Sequence, residues 1–472
     1  MRSIIKIDFE ERMMIDLIDW INGALWDVLL IVVLSGMGIY LSIRLNFIQF
    51  RKFGESFKKT FGSISLKGDK ASAEEGMTSF QSLATSISAQ IGTGNLAGVA
   101  TAMVSGGPGA VFWMWLSAIL GMAIIYAEAT LAQYYRTTEK GHLVGGPVYY
   151  IQAAFQGRLG KVIAALFSVL LIFALGFMGN MVQANSVGHA VSTAFGISPW
   201  ITGIVMAIMA LIVFIGGVER IASVTEKIVP LMALFFTIAS FIVIIMNIEN
   251  VPASFEMIFV GAFNPDAVLG GILGVSIQQA IRFGISRGLF THEAGMGSTP
   301  HAHALARVKH PSEQGLVAMM GVFIDTIVLL PMTVLVILTT GVLDGATTGI
   351  ELTQLAYAQV FGNWGSIIVA ISIFFFAFST IIGWYFFGQA NVKYLFGKGA
   401  IPIYSLLVAI FIAIGSGLHV ELVWSLADLF NGLMVLPNII SIFLLTNVVV
   451  KITKDYDLPL SQQQYQNTYT KK

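Results

Sequence analysis

The chain has 472 residues and no formal net charge, with 56% apolar and only 11% charged residues, which excludes a soluble globular domain and a basic nucleic-acid-binding surface. Several uncharged runs exceed the ~20 residues that a helix needs to cross hydrocarbon, so the chain reads as an all-α integral membrane protein whose solvent is the lipid bilayer. The absence of cysteine removes disulfides, thiolate chemistry and cysteine-ligated metals.

The start, Arg2 to Asp19, mixes charges and lacks the apolar core and cleavage site of a signal peptide. It reads as an amphipathic surface helix or as residues ahead of an initiator at Met13. Apolar runs then predict eleven helices, at roughly 22–44, 78–103, 109–133, 160–190, 199–217, 227–247, 267–290, 314–341, 365–392, 400–418 and 422–450. Lys and Arg fall in alternate connections only. Arg51, Lys52, Lys58, Lys59, Lys67 and Lys70 follow the first helix; Arg136, Lys140 and Arg158 follow the third; then come Arg220 and Lys227, Arg307 and Lys309, and Lys393 and Lys398. The connections near 104–108, 191–198, 248–266, 342–364 and 419–421 hold none. Basic loops face the cytoplasm, so a cell-membrane protein with its N-terminus outside and its C-terminus inside is expected.

The second crossing contains "SISAQIGTGNLAGVA", Ser86 to Ala100. Lipid cannot satisfy a freed peptide group, so backbone leaves helical geometry at membrane depth only where it is buried in protein or lines a cavity. Gly92 and Gly94 permit local unwinding, which exposes N–H groups for a carboxylate and carbonyls for a small cation. Ser88, Gln90, Thr93 and Asn95 add oxygens of the kind Na⁺ favours. A small-residue packing face is the rival reading.

Five helices on, "GGILGVSIQQAIRFGISRG" (Gly270 to Gly288) carries Gly270, Gly271, Gly274, Ser276, Gln278, Gln279 and Gly284. The charge pattern runs this seventh crossing opposite to the second, as a five-plus-five inverted repeat requires. The expected organisation is an N-terminal segment (1–20), an extra transmembrane helix (21–46), a cytoplasmic amphipathic loop (47–77), a first repeat (78–247), an extracellular connection (248–266), a second repeat (267–450) and a cytoplasmic tail (451–472). The second and seventh crossings are expected to be discontinuous.

Intramembrane charges are functional candidates because they are costly unless paired. Glu128 is read as bracing the seventh crossing with an arginine, Arg282 or Arg287, or as taking part in coupling. Asp325 suits a second cation site or a satisfied packing role. Asp428 suits an outer gate or interfacial solvation. Gln183, with Asn180 and Asn185 nearby, suits a substrate contact or an interhelical hydrogen bond. His292, His301, His303 and His310 share one segment expected to be a cytoplasmic loop, solvated or metal-binding. Phe112 to Trp115 reads as packing near an interface.

The stretch "GGPGAVFWMWLSAILG" (Gly106 to Gly121) resembles the signature of the sodium:alanine symporter family, the alanine or glycine:cation symporters. "TSFQSLATSISAQIGTGNLAGVA", "GLFTHEAGMGSTP" (Gly288 to Pro300) and "FAFSTIIGW" (Phe376 to Trp384) are also similar to that family, over roughly Ile21 to Val450. His292 departs from an expected Asn. The resemblance implies a leucine-transporter-type fold and uptake of alanine or glycine coupled to Na⁺, with no cofactor or obligate protein partner. It places the Thr93 and Gly94 N–H groups against the substrate carboxylate and the carbonyls of Ser88 and Ile91 toward sodium. Hydroxyls of Ser379 and Thr380 complete that ion's shell, and Trp384 closes over the substrate, with Phe177 or Phe283 limiting its size. Candidate substrate contacts are thus Gln90, Gly92, Thr93, Gly94, Asn95, Gln183, Ser276, Gln278, Phe283, Thr380 and Trp384.

No nucleotide-binding loop and no nucleophile–base set at membrane depth appears, so a gradient-driven transporter is expected rather than a pump, channel or enzyme. A proton-coupled or glutamine-type transporter of the same fold is the alternative.

Overall fold

The computed structural model describes residues 17–62, 76–139, 141–265 and 274–465. Residues 1–16, Lys67, Lys70, Lys140, Gly270, Gly271 and 466–472, which figure in the expectations above, lie outside the described residues.

In chain order, α1 (Leu17–Arg44) is followed by a short amphipathic helix, α2 (Phe53–Gly62). The second crossing comes in two pieces, α3 (Ser79–Gln90) and α4 (Ala97–Gly106), and α5 (Ala110–Tyr134) follows. A two-stranded antiparallel ribbon, β1 (Thr137–Glu139) with β2 (His142–Val144), leads to α6 (Pro147–Phe155) and α7 (Gly157–Phe195). Next come α8 (Pro199–Phe214), α9 (Gly217–Met246) and α10 (Val251–Gly261). The seventh crossing is again in pieces, α11 (Ile277–His292) and α12 (Pro300–Ala304). The rest is α13 (Pro311–Thr340), α14 (Gly349–Phe361), α15 (Asn363–Phe396), α16 (Ile401–Gly415) and α17 (Val420–Tyr456).

Eight described helical spans, α1, α5, α7, α9, α13, α15, α16 with its preceding turn (Lys398–Gly415) and α17, are long and apolar enough to cross a membrane. The segments expected as the second, fifth and seventh crossings form shorter helices. Two connections expected as loops, 248–266 and 342–364, instead carry α10 and α14.

The burial pattern is that of a protein dissolved in lipid. In α9, Leu231, Leu234, Ile238, Ile242 and Ile245 are exposed at helical spacing, whereas Thr225 and Ser240 are buried. Lipid tails are as apolar as leucine, so nothing drives such side chains inward, and polar groups pack against protein instead. By contrast, α3 is buried on every side from Gln81 to Gln90, between α9, α13 and α15. It begins on a reciprocal cap, with Gln81 N donating to Thr78 Oγ1 and Thr78 N to Gln81 Oε1, both at 3.0 Å.

The seventh crossing breaks later than expected. The stretch Gly270 to Gly288 is expected to contain the interruption; its described part begins at Gly274, and α11 runs unbroken from Ile277 to His292. Ser276 and Gln279 cap its start reciprocally. Its glycines serve close packing: a Cβ at Gly284 would lie 2.5 Å from the Ala110 carbonyl oxygen, and one at Gly288 would lie 2.6 Å from Ser117 Oγ. The helix stops at Glu293 (φ 56°), and Gly295 and Gly297 are also at positive φ, 95° and 76°.

This shift relocates the histidines. His292, His301, His303 and His310 are all buried, so the solvated-loop reading is overturned. Each is held by protein groups: His292 by Ser117 and Ala294 N, His301 by Asn391, His303 by Gln314 and His310 by Asp455. Among the described residues no three His, Cys, Asp or Glu side chains cluster as a metal site would.

Candidate functional site

Helix α3 ends at Gln90, residues 93–95 form a single tight 3₁₀ turn, and α4 resumes at Ala97. Every residue from Gln81 to Ala100 is buried, so this break faces protein. Unwinding turns the Ser88 and Ile91 carbonyls toward α15, where Ser379 and Thr380 meet them. Thr380 Oγ1 lies 2.8 Å from Ser88 O, 3.3 Å from Ile91 O and 3.1 Å from Phe376 O. Ser379 Oγ lies 3.4 Å from Ser88 O and 2.9 Å from Phe376 O. Two hydroxyl protons serve three carbonyls here, so lone pairs outnumber donors. Such an oxygen-rich nest of carbonyls and hydroxyls suits a small hard cation.

Beside this nest, Thr93 N donates to Gln183 Oε1 at 3.1 Å across to α7. A Cβ placed on Gly92 would lie 2.5 Å from Thr380 Oγ1 and 2.9 Å from Gln183 Oε1. Gly92 therefore keeps a gap between the two neighbours open. Gly94 faces elsewhere, since its added Cβ would lie 2.4 Å from Thr291 Oγ1 on α11. Several buried side-chain atoms around the break have no hydrogen-bond partner: Gln90 Oε1, Thr93 Oγ1, Asn95 Oδ1, Asn180 Oδ1 and Gln183 Nε2. Buried polar groups are normally paired, so this concentration of unpaired ones points to a ligand.

The remaining amides of the break bind protein. Gln90 Nε2 donates to His292 O at 2.8 Å, joining the two broken helices. Asn95 Nδ2 donates to Asp325 Oδ1 at 2.8 Å, and Thr326 Oγ1 to Asp325 Oδ2 at 2.6 Å.

The second break brings two carboxylates that the sequence did not tie together. Glu128 accepts from Gly295 N at 3.2 Å, Gly297 N at 3.0 Å and Asn438 Nδ2 at 2.6 Å. Glu128 thus braces the seventh crossing as expected, but through peptide N–H groups rather than an arginine. The arginines have other partners: Arg282 pairs with Asp27 at 2.9 Å, and Arg287 with Asp428 at 2.7 and 2.9 Å. Asp428 is therefore paired and partly buried, not merely solvated. Arg287 also lies over the Trp424 ring, 4.6 Å from its centroid, and Trp424 contacts Phe290 at 4.9 Å.

Trp384, one turn beyond Thr380, is 1% exposed. Its indole Nε1 donates to Glu293 Oε1 at 2.5 Å, and its ring meets Phe290 edge-on at 5.7 Å. An added Cβ at Gly179 of α7 would lie 2.5 Å from the ring. Residues 88, 90–95, 183, 379 and 380 thus lie in or against the first break, Gly94 and Asn95 turned to Thr291 and Asp325, while Trp384, one turn from Thr380, meets the second break through Glu293.

Three expected contacts are not gathered there. Ser276 and Gln278 are exposed at the start of α11, Ser276 as its cap, because the break falls at the other end of that helix. Phe283 is half-buried, with Arg282 over its ring and its Cβ 3.1 Å from the position a Gly106 Cβ would take. Phe177 stacks on Phe411 at 4.6 Å. Sequence reasoning missed Glu293, Phe290, Thr291 and Trp424. The available signal was an acidic residue followed by "AGMGS", whose glycines permit left-handed turns.

The profile of the sodium:alanine symporter family matches residues 11–471. The sodium/alanine symporter AgcS of Methanococcus maripaludis is 41% identical over 449 residues, 94% of this chain and 97% of that protein. The probable sodium/glutamine symporter GlnT of Bacillus subtilis is 40% identical over 438 residues, covering 92% of this chain and 89% of GlnT. From the same organism, the putative sodium/proton-dependent alanine carrier protein YrbD is 38% identical over 462 residues, covering 94% of this chain and 93% of YrbD. Among solved structures, MhsT in complex with L-phenylalanine superposes with a TM-score of 0.57 at 13% identity, covering 81% of this chain and 99% of that one. That likeness shows the fold alone, an all-helical membrane fold of the leucine-transporter type. With the family profile spanning nearly all of it and relatives near 40% identity, this multi-pass membrane protein belongs to the sodium:alanine symporter family.

Proposed function

We propose that the protein is a secondary transporter that carries a small neutral amino acid, alanine or glycine, into the cell together with Na⁺ by alternating access. The observation that carries this reading is the nest formed by Ser88 O, Ile91 O, Phe376 O, Ser379 Oγ and Thr380 Oγ1, directly beside the Thr93 N–H and the unpaired Nε2 of Gln183. One face of the break suits a cation and the other a carboxylate, so the two ligands assist each other electrostatically. Eleven crossings in a five-plus-five inverted repeat, with the basic loops cytoplasmic, complete the arrangement. A membrane potential of ~100 mV adds ~2.3 kcal/mol per charge moved, enough for tens-fold accumulation.

The outer side is closed by the Arg287–Asp428 pair and the Trp424, Phe290 and Trp384 rings. Toward the basic loops, a cavity of about 290 Å³ is bordered by His301, Asn391, Tyr149, Lys393 and Lys398, a natural release path.

Radiolabelled alanine uptake into liposomes under imposed Na⁺, K⁺ or H⁺ gradients tests the reading; accumulation indifferent to Na⁺ rules it out. Thr380→Ala is expected to raise the half-saturating Na⁺ concentration about tenfold or more, the worth of one ligand to a charged group. An unchanged Na⁺ dependence would remove Thr380 from the ion's shell. Trp384→Ala is expected to admit larger side chains, so that leucine or glutamine competes with labelled alanine where it does not in the parent protein.

A proton-coupled or glutamine-type carrier is the second reading. It is favoured by the buried carboxylates of Asp325 and Glu293, which hydrogen-bond to the uncharged side chains of Asn95, Thr326, Ser298 and Trp384. The H⁺-gradient arm and a glutamine competitor in the same liposomes distinguish it. Asp325, beside the unpaired Asn95 Oδ1, is also open to a second cation.

A further inference from the structure

We propose that the Glu293 carboxylate is the subsite that receives the ammonium group of the transported amino acid. This rests on the amino-acid transport reading above and adds a residue that neither the sequence patterns nor the oxygen nest identifies.

Glu293 is fully buried and follows directly on the end of α11. A lone buried carboxylate is costly unless it is paired. Its donors are the Trp384 indole N–H on Oε1 and the Ser298 hydroxyl on Oε2, both uncharged. No basic side chain forms an ion pair with it among the described residues. Two neutral donors leave about half of the carboxylate's acceptor positions unused.

The other buried carboxylates are differently committed, Asp455 to His310 and the peptide N–H groups of Gln464 and Tyr465. Glu128 is held by two peptide N–H groups and an amide, and so is bound into the backbone of the second break. Asp325 is tied to the Asn95 side chain, on the far edge of the first break. Only Glu293 contacts Trp384, and Trp384 stands one turn from Thr380 on α15. Thr380 meets the first break and Trp384, one turn along α15, meets Glu293. The first break thus offers a peptide N–H and the second a carboxylate, the two kinds of group a zwitterion needs.

The backbone adds an independent argument. Among the described residues, four non-glycine residues have positive φ: Asn46, Phe47, Gln156 and Glu293. The first three are exposed, whereas Glu293 is buried. Glutamate has no local preference for this left-handed geometry, so its presence there is a strained choice of the sort retained at functional sites. The turn projects the carboxylate off the end of α11 toward Trp384.

The test uses purified full-length protein with saturating Na⁺ and equilibrium binding of labelled alanine. In the parent protein, lactate, which replaces the ammonium by a hydroxyl, is expected to compete at least about tenfold more weakly than unlabelled alanine. Glu293→Gln is expected to weaken alanine binding by about ten- to a hundredfold, to narrow the alanine-over-lactate preference, and to leave the half-saturating Na⁺ for Na⁺ binding alone unchanged. Glu293→Asp should recover part of the loss. Equal competition by lactate and alanine in the parent protein overturns the proposal whatever the variants do. So does alanine binding by Glu293→Gln within about twofold of the parent. Retained binding with loss of H⁺-driven uptake would assign Glu293 to proton carriage instead, also overturning it. If the parent protein binds no alanine, glycine or glutamine, the transport reading itself has failed, an outcome distinct from these.

Discussion

Gly92→Ala is expected to abolish Na⁺-driven uptake while leaving the protein inserted and monodisperse. The added methyl would lie 2.5 Å from Thr380 Oγ1 and 2.9 Å from Gln183 Oε1. Real atoms do not tolerate such contacts, so α15 or the Gln183 side chain must retreat, at a cost of about 1–3 kcal/mol. Either displacement dismantles the site. Retreat of Thr380 separates it from Ser88 O and Ile91 O, and retreat of Gln183 removes the acceptor of the Thr93 N–H. Both routes leave the site without a partner it needs, so Na⁺-driven uptake should vanish. Gly98→Ala is the control on the same crossing. Its added Cβ meets only the Trp424 ring at 3.7 Å and Thr93 O at 3.8 Å, ordinary contact, and uptake should survive. Normal transport by Gly92→Ala would show that the gap is not the site.

Glu128→Leu is expected to destabilise the fold rather than alter coupling selectively. The substitution is close in volume but strands Gly295 N, Gly297 N and one Asn438 donor around a buried break. Each unsatisfied buried group costs about 1–3 kcal/mol, so a loss of roughly 3 kcal/mol or more follows. Asn438 is itself engaged by the Tyr150 hydroxyl at 2.5 Å and donates to Gly295 O at 2.9 Å, so the disturbance should reach α6 and α17. Thermal unfolding in detergent, followed by intrinsic fluorescence, checks this. Glu128→Gln, which keeps one acceptor oxygen, should fall between the parent and the Leu variant. A Glu128→Leu protein as stable as the parent would refute the bracing role.

The two variants separate two uses of a broken helix. At the first break several buried polar side-chain atoms are left without a hydrogen-bond partner. At the second, Glu128 takes up the freed N–H groups of Gly295 and Gly297, leaving Glu293 at the helix end to face Trp384.

The sequence by itself determined the solvent, the approximate limits of most crossings and the place of the first break. Apolar runs are long enough to count, and a Gln-Ile-Gly-Thr-Gly-Asn stretch has no reason to exist in lipid unless it is used. It also held enough family pattern to name Ser88, Ile91, Ser379 and Thr380 together, which the fold makes neighbours although 291 residues separate Ser88 from Ser379. Only the tertiary structure decided which helix face each polar residue occupies and whom it meets. Glycines in α11 read locally as unwinding, whereas they serve close packing against α5. The true break lies in a polar, histidine-containing stretch that resembles a loop until neighbouring helices bury it. Local composition reports how easily a backbone bends; whether it bends is settled by the distant side chains that receive its freed hydrogen-bonding groups, as Glu128 does for Gly295 and Gly297.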